Sequence, residues 1–310
     1  MTSLSTLLQT VAVSDPVVAG GLQVFALRWF GVTGQDYTTL DEGLAQGLLE
    51  VTEVGEAGTV PTLKVANKGD VMAFLMAGEQ LCGGKQNRVL NASIMVAARA
   101  ELPIPVSCVE RGRWGYRSPQ FGSGGSSSHS SLRRVMHASV TKSYRASGKA
   151  SSDQGEVWRE VDRKLTECGS HSDTMMLQQM YDDKHEELAA AMRALPVPEG
   201  ASGAVFAYGG RIVGFDLFDR PATLARLWLK LLRAYAVDAQ YAPQEGVTPV
   251  STDDVRAWLR GAGQAKEEKF KSAGLGDDVR LECPTLIGAG LVVNEQPVHV
   301  EVFAGGGPAA

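Results

Sequence analysis

Long apolar runs are the first thing this 310-residue sequence lacks. No stretch of about 18 uninterrupted apolar residues occurs, so a membrane-spanning helix is not expected. The first residues, Met1 to Val11, carry no basic cluster ahead of an apolar core. A secretory leader is therefore not expected, their Ser/Thr/Leu pattern suits a short amphipathic helix, and the expected location is cytoplasmic. Cysteine is scarce: Cys82, Cys108, Cys168 and Cys283 stand apart with no C-x-x-C spacing. That excludes a zinc knuckle or a disulfide framework and predicts mostly reduced, buried thiols. His129, His137, His171, His185 and His299 form no H-x-H or H-E-x-x-H pair, so no metal site is evident, and the sequence leaves the cofactor open. Neither G-x-x-x-x-G-K-[ST] nor a G-x-G-x-x-G after a strand is present, which rules out a P-loop and a Rossmann reading. No internal repeat is found.

What is present is chemistry concentrated between Gly78 and Trp114. Gly83 and Gly84 free the backbone for positive φ and close approach to a ligand, and Lys85, Gln86, Asn87 and Arg88 follow with donor side chains. Cys108, Glu110, Arg111, Arg113 and Trp114 form a second polar group after an apolar run that reads as two strands joined near Arg99 to Leu102. Antiparallel pairing of those strands predicts that the two groups meet in one pocket wall for an anion. The plainer alternative is a tight turn with a solvated tip.

Charge is uneven. Between Arg111 and Ser152 lie eight basic residues (Arg111, Arg113, Arg117, Arg133, Arg134, Lys142, Arg145, Lys149) and no acid, in a chain of net charge −5. Such a segment suits an anionic partner or a solvated basic helix. The Ser/Gly-rich stretch 118–131 reads as a flexible loop.

Strand-like and turn-like segments fill residues 20 to 114, helices follow from Leu132 to Arg145 and from Glu156 to Leu195, and Gly209-Gly210 marks a type I′ hairpin turn. A helix after Pro221 carries Leu224, Leu227, Trp228, Leu231, Leu232 and Tyr235 on one stripe, and a further charged helix is expected over Asp253 to Lys271. Strands from Val279 to Phe303 turn about Asn294 to Pro297. The expected fold class is α+β: a mostly antiparallel sheet, as a sandwich or cupin-like roll, with a helical middle section and a C-terminal hairpin-helix-hairpin. It is read as a single domain over 1–310 with a disordered tail at 304–310.

Ala77-Gly78-Glu79, Gly83 through Arg88, Ile104 through Trp114 and Gly210 through Asp219, with Leu227-Trp228 and Leu231-Leu232 behind, resemble the ARG and rhodanese-phosphatase-superfamily-associated protein domain family. The resemblance spans about residues 20 to 305. It implies a link to NAD or ADP-ribose metabolism through gene neighbours, the ADP-ribosylglycohydrolases and rhodanese or phosphatase-like proteins, and it implies no reaction and no catalytic residue.

From the side chains themselves, Glu79 or Glu110 beside Lys85, Arg88 and Arg111 can supply an acid/base and a phosphate clamp. The same carboxylates can instead pair structurally with Arg88 and Arg111. Cys108 is a candidate nucleophile or a buried structural thiol. Asp216 and Asp219 can bind Mg²⁺ or a ribose hydroxyl, though Asp219 is more simply an N-cap, and Arg211 is a further secondary candidate. Three functions follow: an enzyme, hydrolase or transferase, acting on an ADP-ribosyl or other nucleotide-derived compound; a non-catalytic domain binding such an anionic ligand; or a single-stranded nucleic-acid binder using Trp114, Tyr116 and the basic segment, which the pI near 5.6 disfavours.

Overall fold

The computed structural model describes residues 4–29, 35–55 and 57–305. In chain order the first elements are α1 (Leu4–Thr10), β1 (Ala12–Ala19), β2 (Leu22–Arg28), β3 (Tyr37–Thr39), α2 (Leu40–Ala45), β4 (Leu49–Glu53), β5 (Thr62–Asn67) and β6 (Met72–Leu75). There follow β7 (Glu79–Gly83), β8 (Arg88–Leu90), β9 (Ile94–Val96), β10 (Glu101–Cys108) and β11 (Phe121–Ser127). The helical middle is α3 (Ser130–Ser147), α4 (Gln154–Glu167), α5 (Leu177–Asp183) and α6 (His185–Ala194). The end is β12 (Gly203–Tyr208), β13 (Arg211–Phe218), α7 (Pro221–Ala239), α8 (Thr252–Ala262), β14 (Lys266–Lys271), β15 (Asp277–Cys283), β16 (Leu286–Val293) and β17 (Gln296–Ala304). The chain is α+β, and among the described pairings all are antiparallel except β3 with β6. No described helix is long and apolar enough to cross a membrane.

Two compact units result. The first comprises the described residues of Met1–Gly34, Glu186–Phe270 and Asp277–Ala310. Its eight-stranded sheet runs β1-β2-β12-β13-β17-β16-β15-β14, so the last strands return to the sheet of the first. Strand alternation sorts its side chains. Phe215, Leu217, Val279, Leu281, Val300 and Val302 pack with Leu4, Leu7 and Leu8 of α1 and Val255 and Leu259 of α8. The opposite face meets α7, where Tyr235 stacks on Phe206 at 3.8 Å between centroids. Gly209 and Gly210 take φ of 56° and 69°, as the two-residue turn requires.

The second unit comprises Gln35–His185 and Lys271–Gly276. A six-stranded sheet, β11-β7-β8-β10-β5-β4, and a three-stranded sheet, β3-β6-β9, enclose a core of Leu63, Val65, Leu81, Leu90, Ile104, Val106 and Phe121 among others. Thr39 caps α2, its amide bonding the Glu42 carboxylate at 2.9 Å.

Three expectations are corrected. The stretch 118–131, read as a flexible loop, is mostly β11 and the start of α3, with Ser126 to Ser130 buried. Its glycines permit close approach to β7, since a Cβ on Gly124 would lie 2.9 Å from Gln80 Cβ. Ser126 is held on both sides: Gln80 donates to its Oγ at 2.9 Å, and that Oγ donates to Gln178 at 3.2 Å. The charged segment Lys266 to Lys271 is the edge strand β14 rather than the end of a helix, because α8 stops at Ala262 and charges protect a sheet edge from further pairing. Asp219 is not the N-cap of α7; Arg220 holds that position and Pro221 opens the helix. Of the tail expected at 304–310, Ala304 ends β17 and residues 306–310 lie outside the described residues.

Candidate functional site

The two polar groups of the sequence meet in the second unit. Gln80 pairs with Val89 and Leu81 with Arg88, which leaves Gly84 to Asn87 as the connection from β7 to β8. Across β8, Arg88 pairs with Cys108, so the chain leaving β10 passes along that connection. Gly83 and Gly84 have φ of 131° and 48°, and a Cβ on Gly84 would run into the Phe121 ring.

Arg113 ties the two segments together. Its guanidinium grips Glu110 through Nε at 2.9 Å and Nη2 at 2.6 Å, and donates to the carbonyls of Gly84 (2.7 Å), Gly83 (3.2 Å) and Gly115 (2.8 Å) and to Asn87 Oδ1 (3.2 Å). The Asn87 amide and Thr174 Oγ1 complete the Glu110 carboxylate at 3.0 and 3.1 Å. Burial pushes the Glu110 pKa up, but the hydrogen bonds from Arg113 and the Asn87 amide and the charge of Arg113 outweigh it, and the net shift is downward. Glu110 is thus an ionised carboxylate with both oxygens occupied. Its partners are Arg113 and, at 3.9 Å, Arg117, not Arg111, whose guanidinium instead lies over the Trp158 ring at 5.1 Å.

Arg88 is wholly buried. Its Nη1 donates to Gln86 Oε1 at 3.1 Å and its Nη2 lies 4.0 Å from Glu53 Oε1, yet Nε and Nη2 make no hydrogen bond. Asn87 Nδ2 is likewise buried without an acceptor. Burial pulls the Arg88 pKa down against the opposing influence of Cys108 and Glu53. The Trp114 ring stands over the Arg88 guanidinium at 5.8 Å, and Lys85 Nζ sits over Trp114 at 5.4 Å and Tyr116 at 5.0 Å while donating to the Ala57 carbonyl at 2.7 Å. Trp114 and Tyr116 are 52% and 56% exposed, which makes them an aromatic surface beside a buried cation.

Other candidates take different places. Cys108 is buried, with Sγ 3.2 Å from Gln86 Oε1, and burial pushes its pKa up despite the Glu110 amide and Arg88, so it is a thiol rather than a thiolate. Glu79 lies at the far end of β7, opposite Ser127, and its carboxylate accepts from the Met76 amide at 2.7 Å. Arg211, Asp216 and Asp219 belong to the first unit. Arg211 is exposed at the start of β13, and the Asp219 amide bonds the Val298 carbonyl. Asp216 sits with His299 and Glu301, its Oδ1 3.1 Å from His299 Nε2 and its Oδ2 accepting from Tyr235 at 3.0 Å.

Sequence spacing did not single out Glu53, Thr174, Trp158 or Gln154. Gln154 lies 46 residues from Cys108, yet its side chain bonds both the amide and the carbonyl of Cys108 at 2.8 Å, as a neighbouring strand would. Contacts this remote in sequence leave no local pattern.

Compared with known proteins, the family model described as the ARG and Rhodanese-Phosphatase-superfamily-associated Protein domain matches residues 10–303. No curated protein matches, and no solved structure matches.

Proposed function

The chain belongs to the ARG and Rhodanese-Phosphatase-superfamily-associated Protein domain family, and on that premise we propose that the β7–β8 connection holds a phosphate-bearing ligand of the NAD or ADP-ribose class. The observation that carries this reading is the edge of Arg88: two guanidinium nitrogens and the neighbouring Asn87 Nδ2 are buried without acceptors. Leaving such donors unmatched costs about 1–3 kcal/mol each, more when charged. A phosphate oxygen pair fits the guanidinium fork. Trp114 covers Arg88, so the ligand displaces this half-exposed ring, and Trp114 and Tyr116 then offer their faces to a base.

The chemistry at this place is holding rather than turnover. Glu110 is ionised and saturated, Glu79 is turned into its own loop, and Cys108 is a buried thiol. A single-stranded nucleic acid is a poorer fit, because Arg113 is held by Glu110 and Arg133 is buried in α3, which takes two of the eight cations out of the basic segment. Titration calorimetry with ADP-ribose, NAD, orthophosphate and a single-stranded oligonucleotide, followed by mass spectrometry of the recovered ligand, tests this. The expected result is binding of the nucleotide-derived ligands in preference to the oligonucleotide, weakened by Trp114→Ala. Conversion of the ligand that Glu110→Gln abolishes in a folded protein would overturn the holding role.

A further inference from the structure

The face of the first unit's sheet that meets α7 carries buried charge where apolar side chains are the usual choice. Asp216 of β13 and Glu301 of β17 are cross-strand partners in direct register, and His299 lies two residues before Glu301 on the same face. The three are 0%, 1% and 1% exposed. Two acidic side chains buried side by side are an uncommon choice for a packed sheet face. One ligand atom from each of the three residues falls within 4.8 Å of the others.

The surroundings hold two of these groups in fixed poses. Tyr235 donates to Asp216 Oδ2 at 3.0 Å, which turns Oδ1 toward His299, and Tyr235 is itself stacked on Phe206. Phe218 stacks on the His299 ring at 4.6 Å with 10° between planes, which fixes the direction of Nε2. Hydrogen-bonded carboxylates and an oriented imidazole are what metal-binding groups require around them.

We propose that Asp216, His299 and Glu301 form a binding site for a divalent first-row transition ion, Mn²⁺, Fe²⁺ or Zn²⁺, in the first unit. Ligands bound at about 2.0–2.2 Å to one ion lie roughly 3.0–3.5 Å apart. The 3.1 Å between His299 Nε2 and Asp216 Oδ1 already meets that spacing, and Glu301 offers a carboxylate oxygen within 4.8 Å of both. One imidazole nitrogen with two carboxylates and no thiolate selects this class of ion over Cu⁺. Three protein ligands leave coordination positions for water or for oxygen atoms of a small ligand. The site stands apart from the reading of the β7–β8 connection, and neither depends on the other.

The test is metal binding by the full chain. After chelator treatment and removal of the chelator, Mn²⁺ and Zn²⁺ are titrated in turn, with calorimetry and elemental analysis giving stoichiometry. The expected result is one ion per chain with micromolar or tighter affinity. In the Mn²⁺ form of the unaltered protein, pulsed electron paramagnetic resonance should detect one directly bound imidazole nitrogen, and Asp216→Asn and His299→Gln should each weaken binding at least tenfold. The spectrum is read on the unaltered chain, so it decides the matter even if a variant fails to fold. Absence of stoichiometric binding overturns the proposal, as does binding with no nitrogen coupling that His299→Gln leaves unchanged.

Discussion

Glu110, which the sequence offers either as an acid/base or as a structural partner of an arginine, is held in three dimensions by a full set of hydrogen bonds. Its two oxygens accept four hydrogen bonds, two of them from the Arg113 fork. Breaking a buried pair of this kind by removing one partner costs about 3–5 kcal/mol. Arg113→Ala is accordingly expected to destabilise the protein by about that much in urea unfolding, and Arg113→Lys, which keeps the charge but not the fork, by less. The pH dependence has a definite sign. The unfolded chain takes up a proton near the ordinary Glu value of 4.5 and the folded chain does so only below it. Between those values the unfolded state binds more protons, so stability falls as pH falls. The contribution of Glu110 is complete above the unfolded value and is lost as pH drops through the lowered folded one. Comparing unfolding of the parent and Glu110→Gln from neutral to acid pH should therefore find their difference shrinking toward low pH. A constant difference contradicts the ionised, hydrogen-bonded state.

At the scale of elements, β11 is where local composition misleads. Serine and glycine signal conformational freedom when nothing binds them, but Phe121 pairs with Gly83, Gly122 with Cys82 and Ser123 with Leu81. Hydrogen exchange should find the paired amides of β11 protected well beyond those of exposed turns, and fast exchange throughout Phe121–Ser127 contradicts the strand. The same pairing explains Gly84. Its φ of 48° disfavours any side chain, and the Phe121 ring fills the space a Cβ needs. Gly84→Ala is expected to destabilise by about 1–3 kcal/mol. In combination with Phe121→Ala, itself costly, the total should be less than the sum of the single changes, because the ring is the obstacle. A fully additive pair would place the strain elsewhere.

Periodicity and turn chemistry made the hairpin at Gly209-Gly210, the apolar stripe of α7 and the meeting of Lys85–Arg88 with Glu110–Trp114 legible, since each follows from a local pattern or one strand pairing. The partners within the site were not legible. Arg113 rather than Arg111 reaches Glu110, and only the turn geometry after β10 decides which of two arginines two residues apart faces inward. Lys266 to Lys271 read as helix because charge alone does not distinguish a solvated helix from an edge strand.

For the whole molecule, the first unit draws its sheet from both ends of the chain, and this places His299 beside Asp216 although 83 residues separate them. Histidines that look dispersed along a sequence argue against a metal only while the chain is treated as a line. The second unit is built from an almost continuous segment, and there the meeting of the two polar groups could be anticipated in outline. The central claim is that the orphaned edge of Arg88 receives a phosphate, and calorimetric titration of ADP-ribose into the parent and into Arg88→Lys tests it most directly. Lysine keeps the charge and gives up the fork, so with folding verified by circular dichroism the account predicts affinity weakened about ten- to a hundredfold, equivalent to about 1.5–3 kcal/mol. Equal affinity in a folded Arg88→Lys protein, or no binding by the parent, would contradict it.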